Sequence, residues 1–75
     1  MARLPVLSGR EVVRVFGSFG WRVARQTGSH VVLTKEGHLA SLSVPDHREV
    51  ARGTLRSLIR SADLTVAEFV AATKS

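Results

Sequence analysis

The sequence predicts an α+β domain of order α-β-β-β-α with a short C-terminal helix, and three observations carry that reading. Apolar residues recur at helical spacing in Val12, Val13, Phe16 and Phe19, and again in Leu55, Leu58, Ile59 and Ala62. Between these two stretches the period falls to two and β-branched residues accumulate. The 75 residues suffice for one domain, 1–75, and contain no internal repeat, linker or low-complexity run.

Ser8 and Glu11 have the spacing of a capping box, so the first helix is expected from Gly9 to Phe19, with Gly20 placed to end it. Gly17 weakens that helix by about 1 kcal/mol relative to alanine and is read as allowing close packing against the sheet. From Trp21 a strand begins, with Trp21, Val23 and Arg25 on one face and Arg22, Ala24 and Gln26 on the other. Thr27-Gly28-Ser29 is a turn, His30 to Lys35 a second strand, Glu36-Gly37 a hairpin turn and His38 to Val44 a third strand. Pro45 ends the third strand because it cannot donate to the ladder, and Asp46 to Arg52 is a polar connection.

Gly53-Thr54 starts the second helix, which carries Arg52, Arg56 and Arg60 at spacing four and breaks at Asp63-Leu64. Thr65 and Glu68 repeat the capping-box spacing, giving a terminal helix over Val66 to Ala72 anchored by Phe69. The expected architecture is a three-stranded antiparallel meander with both main helices on one face and the other face open. The double-stranded-RNA-binding domain has this element order, although element order alone never fixes activity.

A core this small leaves little room for a deep cofactor cavity, so any active site should be shallow and on the surface. With no cysteine there is no disulfide, thiolate metal site or cysteine nucleophile. Met1 to Leu7 is too short and too interrupted for a signal peptide, and no apolar run approaches the roughly 20 residues that span a bilayer, so a soluble cytoplasmic protein without membrane contact is expected. Eleven basic side chains, nine of them arginine, stand against six acidic ones, for a net charge of +5. Arginine forks match phosphates, which points to an acidic partner, nucleic acid or protein. Charge alone is equally compatible with a merely soluble basic surface.

Within Arg25-Gln26-Thr27-Gly28-Ser29-His30 the chain sets an imidazole beside a glycine, a hydroxyl and a guanidinium. If Val31 and Leu33 face the helices, alternation puts His30, Val32 and Thr34 on the open face. A lone histidine there is also read as one that simply bonds a neighbouring strand. His47 occupies the Pro45-Asp46-His47 corner, where Asp46 can orient an imidazole or cap the turn. His38 lies at the hairpin tip, away from the other two, and receives no role. A metal site built on His30 and His47 lacks two further ligands at sensible spacing, so no metal and no cofactor is expected.

Arg52, Arg56 and Arg60 form a ridge with no glutamate at the intervening steps to pair with them, and Arg22 and Arg25 add charge near the glycine turn. The ridge reads as a phosphodiester track or as a solvated helix face. Trp21 and the three phenylalanines fall on apolar faces and read as core. Phosphodiester cleavage needs a proton acceptor, a cation near the phosphoryl oxygens and a proton donor. His30 can accept or donate, Arg25 or Lys35 can supply the cation, and Ser29 can donate a hydrogen bond to phosphate. The chain has no Asp/Glu cluster to hold two magnesium ions, which disfavours a metal-dependent DNA nuclease, whereas RNA carries its own nucleophile in the 2′-hydroxyl.

Over nearly its whole length the chain resembles the HicA toxins, small bacterial messenger-RNA interferases of type II toxin–antitoxin modules. The resemblance runs through Glu11-Val12-Val13, Gly20-Trp21, Arg25-Gln26-Thr27-Gly28-Ser29-His30, Val44-Pro45-Asp46-His47 and Gly53-Thr54-Leu55-Arg56-Ser57-Leu58-Ile59-Arg60. It implies a double-stranded-RNA-binding-like fold, endoribonuclease activity on mRNA that halts translation, and neutralisation by a HicB-type antitoxin. It also implies that His30 is catalytic, that Gly28 forms the turn presenting it, and that the Pro-x-His histidine is His47. Together with the residues read from charge and position, the expected RNA-binding set is Arg22, Arg25, Gly28, Ser29, Lys35, His47, Arg52, Arg56 and Arg60. Two positions depart from the family pattern. Val31 stands where a second histidine or another polar or aromatic residue often follows, and Asp63 stands where a glycine usually ends helix two. The alternative is a non-catalytic module of the same fold that binds RNA or only the antitoxin; a third reading is a purely structural interaction protein.

Overall fold

The first helix, α1 (Gly9–Gly17), starts where the Ser8 hydroxyl accepts the Glu11 N–H at 3.2 Å and the Glu11 carboxylate accepts the Ser8 N–H at 2.9 Å. The Ser8 backbone donor, then its hydroxyl, holds the Glu11 carboxyl below the ordinary glutamate value. The helix stops two residues before the expected Phe19. Gly20, at φ 96°, lets its own N–H reach the Gly17 carbonyl and the Trp21 N–H reach that of Phe16, satisfying carbonyls that would otherwise be orphaned. The computed structural model describes residues 3–74, so Met1 and Ala2 of the stretch read against a signal peptide lie outside the described residues. Gly17 does not pack against the sheet: it is exposed, and a Cβ there would meet nothing within 4 Å.

Three antiparallel strands follow in the spatial order β1 (Arg22–Thr27), β2 (His30–Thr34), β3 (Leu42–Pro45). Gly28 and Ser29 join β1 to β2; only Gly28 has positive φ, 58°, which fits a type II′ turn and the twist of the strands it joins. The expected third strand from His38 is shortened at its start. His38 leaves the ladder because its ring lies against Trp21, centroids 4.9 Å apart, while its Nε2 meets Asp63 Oδ2 at 3.0 Å.

The chain closes with α2 (Arg52–Ser61) and α3 (Val66–Thr73), the latter opened by the expected Thr65/Glu68 box. Helix α2 ends through Asp63 at φ 59°, whose N–H bonds the Arg60 carbonyl while the Leu64 N–H bonds that of Ile59. That left-handed position explains why a glycine suits it, and why aspartate is an acceptable substitute. Both main helices cover one sheet face, where Leu33, Leu42 and Val44 meet Val12, Phe16, Leu55, Ile59 and Phe69 in one core. Leu4 and Leu7 join this core from the irregular segment before α1, and the Leu7 carbonyl accepts the Val50 N–H. The result is an α+β fold of the double-stranded-RNA-binding type with an open sheet face.

Candidate functional site

His30 opens β2 and pairs with Thr27 of β1 on one side and Pro45 of β3 on the other. Its row therefore forms one end of the sheet. Residues directly opposite one another share a face, so His30, Val32 and Thr34 lie on the open side while Val31 and Leu33 turn toward the helices, as the alternation predicts. His30 is exposed.

The first strand departs from strict alternation. Val23 pairs with Leu33 and Arg25 with Val32, leaving Ala24 as the extra residue of a β-bulge. One inserted residue reverses the parity beyond it. Arg25 consequently leaves the face of Trp21 and Val23, and Gln26 replaces it there opposite Val31. Arg22 and Arg25, expected on opposite faces, share the open face with His30. Both are exposed, and among the described residues neither pairs with a carboxylate.

Around His30 the sheet end is pinned from two sides. The Ser29 carbonyl accepts the Asp46 N–H at 2.6 Å, tying the glycine turn to the end of β3. The His47 carbonyl accepts the Gly9 N–H at 2.9 Å, tying the same corner to the start of α1. Gly9 is buried there, and a Cβ on it would collide with the Pro45 carbonyl oxygen and approach Asp46 Cα to 2.8 Å. Sequence reasoning missed Gly9, because no local signal distinguishes a glycine pressed on a distant backbone from an ordinary first helical residue. The Asp46 carboxylate accepts from Gln26 Nε2 at 3.4 Å, so it holds neighbouring β1 and orients neither His30 nor His47.

The structure thus brings Gly28, Ser29, His30 and the Asp46-His47 corner together at one end, with Arg25 one row away. Lys35 lies past the other end of β2, five residues from His30 or roughly 16 Å along a strand. There it lines a shallow depression with Gly20, Arg22, Thr34 and Glu36. Arg52, Arg56 and Arg60 are exposed on α2, in the helical layer behind the sheet, and Arg60 adjoins Asp63 at the far end. Among the described residues no three His, Asp or Glu side chains converge to hold a metal ion, and no described helix is long and apolar enough to cross a membrane.

Against known proteins, the family model described as "HicA toxin of bacterial toxin-antitoxin" matches residues 9–64, from the start of α1 to the end of the turn that closes α2. The chain belongs to the HicA toxin family. Among solved structures this HicA-family chain is similar to one from a "Toxin-Antitoxin complex from Streptococcus pneumoniae", with a TM-score of 0.69 and 27% identity over 77% of this chain and 98% of that one. No curated protein matches it. The matched span includes the Gly28-Ser29 turn, His30, the Pro45–His47 corner and the arginine row of α2, and leaves α3 outside.

Proposed function

We propose that the chain is the toxin of a type II toxin–antitoxin module, a metal-independent endoribonuclease that cleaves mRNA with His30 and is neutralised by a HicB-type antitoxin. One juxtaposition carries the reading: an exposed imidazole, His30, stands on the helix-free sheet face one row from the unpaired guanidinium of Arg25. Their Cβ atoms are diagonal cross-strand neighbours, about 7–8 Å apart, a gap that an arginine side chain spans. Both groups can therefore address one phosphate.

In the proposed reaction a 2′-hydroxyl of the RNA attacks the adjacent phosphorus, forming the O2′–P bond and breaking P–O5′. His30 transfers the proton at one of these two oxygens and solvent water takes or supplies the proton at the other, while Arg25 offsets charge on the phosphoryl oxygens and Ser29 adds a hydrogen bond. Gly28 holds the turn that presents the histidine. His47 flanks the site, and the α2 arginines add positive potential that draws RNA toward the domain. The scattered acidic residues support a reaction without paired metal ions, since Asp46 is engaged with Gln26 and Asp63 with His38.

Purified protein incubated with RNA in the presence of a chelator should produce fragments. His30→Ala should abolish cleavage and growth arrest while leaving circular dichroism unchanged. RNA that is shifted in a gel but never shortened by the wild type would leave the binding-module alternative standing. Undiminished toxicity in folded His30→Ala would remove the histidine mechanism.

A further inference from the structure

We propose that the open sheet face seats the substrate as an extended single strand of RNA lying along β2, with the scissile phosphate at His30 and Arg25 and phosphates further along at Arg22 and Lys35. This rests on the cleavage reading above and adds the path of the strand. Three rows of side chains cross the open face: Thr27–His30–Pro45, then Arg25–Val32–Ser43, then Arg22–Thr34. Successive rows lie roughly 7 Å apart, two residues along a strand, which is close to the interval between phosphates of an extended single strand.

Each row past the first carries one arginine, and the bulge at Ala24 is what puts both on this face. Lys35 lies past the end of β2 with the parity of Val31 and Leu33, its Cε 3.4 Å from where a Gly20 Cβ would be, and it reaches the end of the open face only through the depression it lines with Arg22 and Thr34. No row contains an aspartate or glutamate; Glu36 stands at the far rim, and Asp46, just beyond the near end, bonds Gln26 on the helix side.

The polar groups between the cations are hydroxyls, Thr27, Thr34 and Ser43, all exposed. They suit sugar and phosphate oxygens. Val32 lies outside the helix-packed core cluster yet is only 9% exposed. With no described helix on that side, the neighbours above it are the side chains of its own face, Arg25 among them, whose aliphatic stem can cover a valine while its head stays in water. None of these rows carries a Phe, Tyr or Trp, so the guanidinium planes and the His30 ring are their means of stacking on bases. Charge complementarity on an otherwise hydroxyl-lined face selects a polyanion, and rows running straight along β2 suit a backbone that is free to extend along them and turn its bases onto the face.

The test uses a labelled ten-nucleotide RNA with 2′-O-methyl groups throughout, which cannot be cut, and reads its binding to the intact protein by fluorescence anisotropy. Arg22→Ala, Arg25→Ala and Lys35→Ala should each weaken single-strand binding about tenfold. Each should also lower the slope of log K against log salt by about 0.7, one phosphate contact on a single strand. Arg14→Ala, on the exposed side of α1, should bind as the wild type does, and the same oligonucleotide annealed to its complement should bind at least tenfold more weakly. Wild-type binding by Arg22→Ala, equal affinity for the duplex, or a loss seen only in an Arg56→Ala/Arg60→Ala double variant would overturn the path. Failure of the wild type to cut unmodified RNA would instead overturn the cleavage reading, so the two can fail separately.

Discussion

Gly9 and Gly17 open and close the same helix and answer oppositely to the same methyl group. Gly9 is pressed on the Pro45–Asp46 backbone, where neither partner can swing away as a flexible side chain would. Gly9→Ala must push α1 off the corner that carries His47, at about 1–3 kcal/mol. Gly17 has open space and ordinary helical φ, so Gly17→Ala removes only backbone entropy of the unfolded chain and should gain about 0.5–1 kcal/mol. Urea midpoints of the two variants should therefore move in opposite directions from the wild type, and a shared direction would contradict the packing described for Gly9. The sequence makes both glycines look alike. Each is a poor helix former inside a helical pattern, and the difference lies in a backbone some 36 positions downstream that local spacing does not report.

Among the elements, the end of α2 sets two small effects against each other. Asp63 occupies a left-handed position, at φ 59°, and bonds His38 through a carboxylate that is 83% exposed. The exposed bond is worth about 0–1 kcal/mol, whereas an alanine forced into that backbone costs about 1 kcal/mol or more. Asp63→Gly should therefore lie near the wild type in thermal stability and Asp63→Ala below both; Asp63→Ala as stable as Asp63→Gly would show that the strain is not there. The elements themselves were legible, because capping boxes at Ser8 and Thr65, the Gly28 turn and the two apolar helical stripes are local signals that the tertiary structure left intact. Alternation predicts a longer strand three than forms, because His38, held by Trp21 and Asp63, partners distant in sequence, takes the chain before Leu42 out of the ladder. The bulge at Ala24 was equally invisible, since alternation in a sequence cannot show which residue the partner strand will skip. Its effect reaches the site: alternation within β2 predicts His30 on the open face, but Arg22 and Arg25 share that face only through the pairing of β1 with β2.

On the scale of the whole molecule, one core of modest size holds the helices to the sheet, and the arginines of the expected RNA-binding set divide between the open face, with Arg22 and Arg25, and α2, with Arg52, Arg56 and Arg60. A domain of this length has little stability in reserve, so a partner that binds only the folded state should raise it measurably. At a partner concentration one hundred times Kd the gain is about 2.7 kcal/mol. For a domain of this size each kcal/mol moves Tm by about 4–8 °C, so the proposed antitoxin should raise the melting temperature by roughly 10–20 °C. If that antitoxin neutralises the toxin by covering His30 and the basic surface with acidic side chains, much of the gain is electrostatic and should shrink as salt is raised toward 1 M, where the screening length falls to about 3 Å. Calorimetry of the complex across that salt range reads the effect directly. A stabilisation indifferent to salt would move the interface away from the arginines toward apolar surface, for which Leu39, fully exposed in the loop before β3, is the first residue to substitute.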